Sequence, residues 1–126
     1  MKYPLFILFI LALTSCLNKS EKGIIGRYNV ATYKIREGFK DVNTTSYSLL
    51  LNDDKTFVFN TKKKKIKGNW KAQDFRGETL IEFYFDDYDF DTQGNVNSEN
   101  NNLDILNAHH FLDENIDVIA FKRSNK

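Results

Sequence analysis

The chain has little with which to cross-link itself or interrupt its elements: one cysteine, one proline and six glycines in 126 residues. A lone cysteine excludes an intramolecular disulfide, so stability has to come from a packed core. The single proline, Pro4, falls at the very start, and everything after it is free of the strongest strand breaker. Charge is balanced, with 18 Lys and Arg against 17 Asp and Glu. Neutralising a phosphate backbone needs a basic surplus, so nucleic acid is not an expected partner. No Gly-x-Ser-x-Gly motif marks an activated serine, and Ser46 and Ser48 sit in a strand-like segment without a motif. A non-enzymatic protein without a cofactor is expected, although sequence separation does not exclude a glycosidase-type pair of carboxylates. Aromatic surface is what the chain has in quantity: eleven Phe, six Tyr and one Trp, side chains that each bury a large area.

The one long apolar run lies at the N-terminus. Met1, Lys2 and Tyr3 supply a positive charge, residues 4–13 are unbroken apolar, and small residues lead into Cys16. That order is a secretory signal. At about 1.5 Å per residue the run reaches roughly 15–18 Å, too short to cross a ~30 Å hydrocarbon core. Leu13, Thr14, Ser15 and Cys16 together resemble a bacterial lipobox. The resemblance implies removal of residues 1–15 and acylation of Cys16 by three chains, palmitate among them, as the first residue of the mature protein. Two or more chains anchor stably at about 0.8 kcal/mol per buried CH₂. Ordinary cleavage after Ser15 without lipidation is the alternative, and it leaves a lone thiol on an exported protein. Leu17 is not the acidic residue that retains some lipoproteins at an inner membrane, so the outer membrane is the expected location within the cell envelope. Residues 17–23 are polar and aperiodic and read as a tether, at most about 25 Å long. The expected organisation is a signal peptide at 1–15, lipidated cysteine and tether at 16–23, and one domain at 24–126.

Period-two alternation marks that domain. Residues 24–35 place Tyr28, Val30 and Thr32 on one side, and residues 45–51 group Tyr47, Leu49 and Leu51. Asn52, Asp53, Asp54 and Lys55 form a tight turn into residues 56–60, where Phe57 and Phe59 share a face. Ile66, Gly68, Trp70 and Ala72 alternate with Lys67, Asn69 and Lys71, and after a turn at 74–78 come Ile81, Phe83 and Phe85. Residues 86–102, rich in Asp and Asn, read as a long loop, and residues 116–123 as the last strand. Residues 103–112 fit a strand through Leu103 and Ile105 and also a helical stripe through Ile105, Ala108, His109 and Leu112; strand is the reading adopted. Seven to eight short strands without a long helix predict an all-β, antiparallel up-and-down barrel.

Gly26-Arg27-Tyr28 and Gly68-Asn69-Trp70 repeat a Gly-x-aromatic pattern near strand starts. With the lipobox, the tether, the hairpin and the late final strand, residues 13–123 resemble the small lipocalin-like lipoproteins of Gram-negative bacteria. The resemblance implies a lipocalin- or calycin-like barrel. Tyr28 stands where those proteins carry a Trp, and Arg123 is the candidate for the arginine they place on that first-strand aromatic.

In an up-and-down barrel the tether defines the bottom, so residues 36–44, 62–65 and 86–102 lie at the top, where binding is expected, facing away from the membrane. Two functions follow, each for a monomer. The first is binding of a small apolar ligand in the interior, with Tyr28, Trp70 and Phe83 as candidate contacts. The second is an inhibitor or immunity-type protein–protein module with a filled core, working through Lys62, Lys63, Lys64, Lys65 and the acidic residues 86–91. An interior pocket of ~300 Å³ or more separates them. The bulk of the inward residues favours the filled core. The lysines also read as a charged hairpin end that discourages edge pairing. Asp89, Asp91 and Asn95 partly follow a calcium-loop order around Gly94, but Asn100 occupies the position of the bidentate Glu, and a solvated acidic loop fits the same residues. His109 and His110 point to opposite faces if they lie on a strand, which prevents chelation of one ion unless the chain bends there.

Overall fold

Strands of four to eleven residues with one apolar face are not stable alone, and eight of them close on one another here. The computed structural model describes residues 17–88, 91–97 and 100–124. Its strands are β1 (Gly26–Ile35), β2 (Ser48–Leu51), β3 (Thr56–Asn60), β4 (Lys65–Phe75), β5 (Glu78–Phe85), β6 (Asp91–Val96), β7 (Leu103–Leu106) and β8 (Ile116–Arg123). Each pairs antiparallel with its neighbour in sequence, and β8 returns to β1, giving the expected up-and-down barrel, closed and with eight strands. The β1–β8 register shifts between Val30 and Thr32 and again between Lys34 and Ile35. Such irregularities add the local twist that closure needs.

Alternation decides which residues fill the barrel. Ile66, Gly68, Trp70 and Ala72 of β4 are buried while Lys65, Lys67, Asn69 and Lys71 are exposed. Phe57, Phe59, Phe83 and Phe121 are fully buried. Phe57 meets Phe59, Phe83 and Phe85 at centroid distances of 5.4, 5.1 and 5.6 Å, in edge-to-face geometry. Phe111 closes the group against Phe59 and Phe85 at 5.2 and 4.9 Å. A Cβ on Gly68 would stand 2.8 Å from the Phe57 ring and 2.0 Å from the Tyr84 carbonyl oxygen, and one on Gly94 3.1 Å from the Phe83 ring. The space the two glycines leave is already taken by rings and backbone.

Three expectations change. Residues 86–102 are not one long loop: β6 lies inside them, pairing Thr92 with Phe83 and Gly94 with Ile81. Its inward positions are Thr92, Gly94 and Val96, small because they face the bulk of β5, so only weak apolar alternation marks it. Residues 103–112 are strand only as far as Leu106. Asn107, at φ 56°, turns the chain into a 3₁₀ turn, Ala108–His110, which brings Phe111 and Leu112 over the core. Residues 17–23 are not an extended tether either. Asn18 caps a helical turn, α1 (Lys19–Lys22), through a reciprocal capping box in which Asn18 Oδ1 accepts the Glu21 N–H at 2.8 Å and Glu21 Oε1 accepts the Asn18 N–H at 3.0 Å.

Gly68→Ala should therefore overpack the interior and cost at least ~2 kcal/mol. Denaturant unfolding measures it. A variant as stable as the parent would mean that the space at Gly68 is open.

Candidate functional site

The strand directions give the barrel two unlike ends. α1, the turns 52–55 and 76–77, residues 97 and 100–102 and the end of β8 lie at one; residues 36–47, 61–64, 86–88 and 107–115 lie at the other.

The first end is plugged by its own side chains, with a surface groove of about 430 Å³ beside the plug, lined by Ile24, Tyr28, Val96 and Arg123 among others. Tyr28 is 2% exposed, and its hydroxyl donates to the Ile24 carbonyl at 2.7 Å. Trp70 donates its indole N–H to the Asn52 carbonyl at 3.2 Å. Arg123, opposite Tyr28 in the register, donates to the carbonyls of Gly23 at 2.8 Å and of Ile25. A Cβ at residue 26 would lie 3.2 Å from Nε of that arginine, and the backbone there has φ 144°; both features suit Gly26. Arg123 thus ties the end of β8 to the backbone leading into β1.

Glu21 locks α1 onto the barrel. β3 stops beside Asn69, so Ala72 of β4 has no strand neighbour on that side. Side chains complete the ladder instead: Asn18 Nδ2 donates to the Ala72 carbonyl at 2.7 Å, and the Ala72 N–H donates to Glu21 Oε2 at 3.0 Å. Lys55 Nζ lies 3.2 Å from Glu21 Oε1. Burial alone raises the carboxyl pKa of Glu21. The N–H groups of Asn18 and Ala72 together with Lys55 outweigh it and hold the group below its ordinary value.

The other end carries the candidate site. A groove of about 510 Å³ opens between the β1–β2, β3–β4 and β7–β8 connections. Its buried lining includes Tyr47 and Leu112, and its exposed lining Lys62, Lys63, Lys64 and Glu114. Tyr47 donates to Asp113 Oδ2 at 3.0 Å; burial and that carboxylate push the phenol up to about 12. Arg36 Nη1 donates to the Glu114 carbonyl at 3.1 Å, and the Arg36 N–H to that of Asn115 at 2.8 Å. Tyr33 donates to Asp41 at 2.7 Å. The rim loops are therefore braced against one another before anything binds.

The sequence candidates fall as follows. Tyr28, Trp70 and Phe83 are all inward, with the polar atoms of the first two satisfied within the chain. Lys62, Lys63 and Lys64 line the rim groove and Lys65 starts β4; of the described acidic residues, Asp86 and Asp87 lie in the β5–β6 connection and Asp91 starts β6, at the same end but outside the groove lining. Asp91 and Asn95 project outward from that strand four residues apart, about 13 Å. A single ion cannot take both, and the described residues contain no cluster of three or more metal-binding side chains. Cys16 and Asp89 lie outside the described residues. His109 and His110 correct the strand expectation: the chain does bend, and their rings stack with centroids 4.1 Å apart. Burial, Arg36 and His110 lower the His109 pKa, against Asp117, whose Oδ1 is 3.8 Å from Nδ1. The closed-end lock was missed from sequence, although Asn18 followed three residues later by Glu21 is a capping-box signal.

Compared with known proteins, the chain matches no family model, no curated protein and no solved structure.

Glu21→Gln should cost about 1–3 kcal/mol at pH 7, the scale of an unsatisfied buried hydrogen-bonding group. Because the native carboxyl is held low, its stabilisation is complete above about pH 4.5 and is lost as pH falls through the lowered native value. The gap between parent and variant, measured by denaturant unfolding at pH 7 and at pH 3 (about one unit below the ordinary glutamate value), should narrow in acid. An equal gap at both would contradict the lock.

Proposed function

We propose that the chain is a non-enzymatic lipoprotein of the cell envelope, held in the outer membrane by acyl chains on Cys16, that binds another protein through the rim of its barrel. The observation that carries this is the filled interior. Six phenylalanines (Phe57, Phe59, Phe83, Phe85, Phe111 and Phe121) interlock across the barrel, with neighbouring rings 4.9–5.9 Å apart. A small apolar ligand inside would have to displace them, which leaves the inhibitor or immunity-type reading as the better supported of the two. Recognition then lies with the rim, where Lys62, Lys63 and Lys64 offer positive charge beside Tyr47, Leu112 and Glu114. Mixed charge around a small apolar centre is the anatomy of a protein interface. With the anchor at the closed end, the rim faces away from the membrane as a monomer's free surface.

Cys16→Ser should abolish labelling by a fatty-acid analogue and release the protein from the membrane fraction. A photo-crosslinker at Lys63 should give a discrete protein adduct in cells, one that disappears with Lys62→Glu and Lys64→Glu and is absent when the probe sits at Asp53. Native mass spectrometry showing one apolar molecule per chain, with no adduct at position 63, would overturn the rim reading in favour of an interior ligand.

A further inference from the structure

β4 runs past its neighbour. Its ladder with β3 ends where Asn69 faces Thr56, yet the strand continues to Phe75 paired with β5 alone. The overhang is closed by a two-residue turn, Arg76 and Gly77, with φ 54° and 84°, as a type I′ hairpin requires. Asn, Asp or Gly suits the first of these positions; an arginine there is held in the left-handed region at a conformational cost. Its guanidinium lies over the Phe75 ring, 5.2 Å from the centroid, and Phe75 is 50% exposed. An aromatic and a cation thus stand together on a protruding tip.

The position of that tip matters as much as its chemistry. The N-terminal segment is fastened to the same strand, with Asn18 bonded to Ala72, three residues from Phe75. At about 3.3 Å per strand residue the tip extends about 10 Å beyond the fastening point. Cys16, two residues before Asn18, lies at most about 8 Å from it.

We infer that Phe75 and Arg76 form a second membrane contact, seated in the headgroup region of the phospholipid surface that holds the acyl chains of Cys16. This rests on the lipid anchor proposed above. The ring enters the boundary between headgroup and acyl chain, and the guanidinium donates to lipid phosphate. Exposed Lys19 and Lys22 of α1 add positive charge at the same end. Of the neighbouring carboxylates, Glu78 accepts from Asn95 at 2.9 Å, and Asp74 alternates to the face opposite Phe75. One anchor point lets a barrel swivel on its lipid; a second fixes its tilt and keeps the rim raised. Phe39, also exposed beneath an arginine at 4.4 Å, lies in the β1–β2 loop at the opposite end and supplies the comparison.

The lipidated full chain has no free thiol once Cys16 is acylated, so Gln73→Cys, exposed on the same face of β4 as Phe75, and, in a separate preparation, Lys40→Cys each take a single environment-sensitive NBD label. In vesicles of phosphatidylethanolamine and phosphatidylglycerol, the label at 73 should shift to the blue, brighten several-fold and be quenched by headgroup spin-labelled lipid. The label at 40 should stay water-like. Adding Phe75→Ser and Arg76→Ser should abolish the response at 73 while the protein remains membrane-bound. A bound protein whose label at 73 stays water-like, or whose labels at 73 and 40 respond alike, overturns the hairpin contact and leaves the anchor standing. A chain recovered without acyl groups that ignores vesicles removes the anchor itself, and the contact with it.

Discussion

Volume inside an eight-stranded barrel is the constraint from which the rest follows. Such a barrel is just wide enough either to be filled by its own side chains or to keep one small ligand. Here the inward positions of β3 and β5 carry Phe57, Phe59, Ile81, Phe83 and Phe85. Gly68 faces Phe57 and Phe85, Thr92 faces Phe83 and Gly94 faces Ile81, while Trp70 and Ile66 fill the positions beside Phe83 and Phe59. Phe111 and Leu112 then cover one mouth, and Ile24, Tyr28 and Trp70 the other. Deleting a methylene from such a core is costly, and so is adding one.

The two ends of the packed barrel are built differently. At one, short turns, a helical turn and Arg123 tie the backbone down through carbonyl groups that no strand neighbour uses. At the other, longer connections are braced by the side chains of Arg36, Tyr33 and Tyr47 while leaving lysines and carboxylates at the surface. Rigid loops on a rigid scaffold lose less entropy when a partner docks. On the proposed reading the first end holds position and the second meets a partner.

How legible this was depended on how much apolar contrast each segment carries. β4 and the β2–β3 hairpin announce themselves because lysines and asparagines alternate with Ile66, Trp70, Phe57 and Phe59. β6 does not, because its inward residues are Thr92, Gly94 and Val96, chosen to fit beside rings on another strand. That is tertiary information, invisible in a local window. The bend at Asn107 reverses the strand reading of residues 108–112 for a similar reason: burying Phe111 against Phe59 and Phe85 outweighs continuing the ladder. Asn18 and Glu21 were readable as a cap, but not as the replacement for a missing strand, since that depends on β3 ending early. The rim lysines were placed correctly by strand counting alone, whereas the bracing around Arg36 and Tyr47 needed the folded loops.

Crystals held under xenon pressure test the filled barrel most directly, because a dry apolar cavity of about 150 Å³ takes up xenon readily. A core closed by interlocked phenylalanines predicts no ordered xenon within the strands. A xenon atom bound among Phe57, Phe59 and Phe83 would show that the interior keeps room for a ligand, and recognition would belong inside the barrel rather than at its rim.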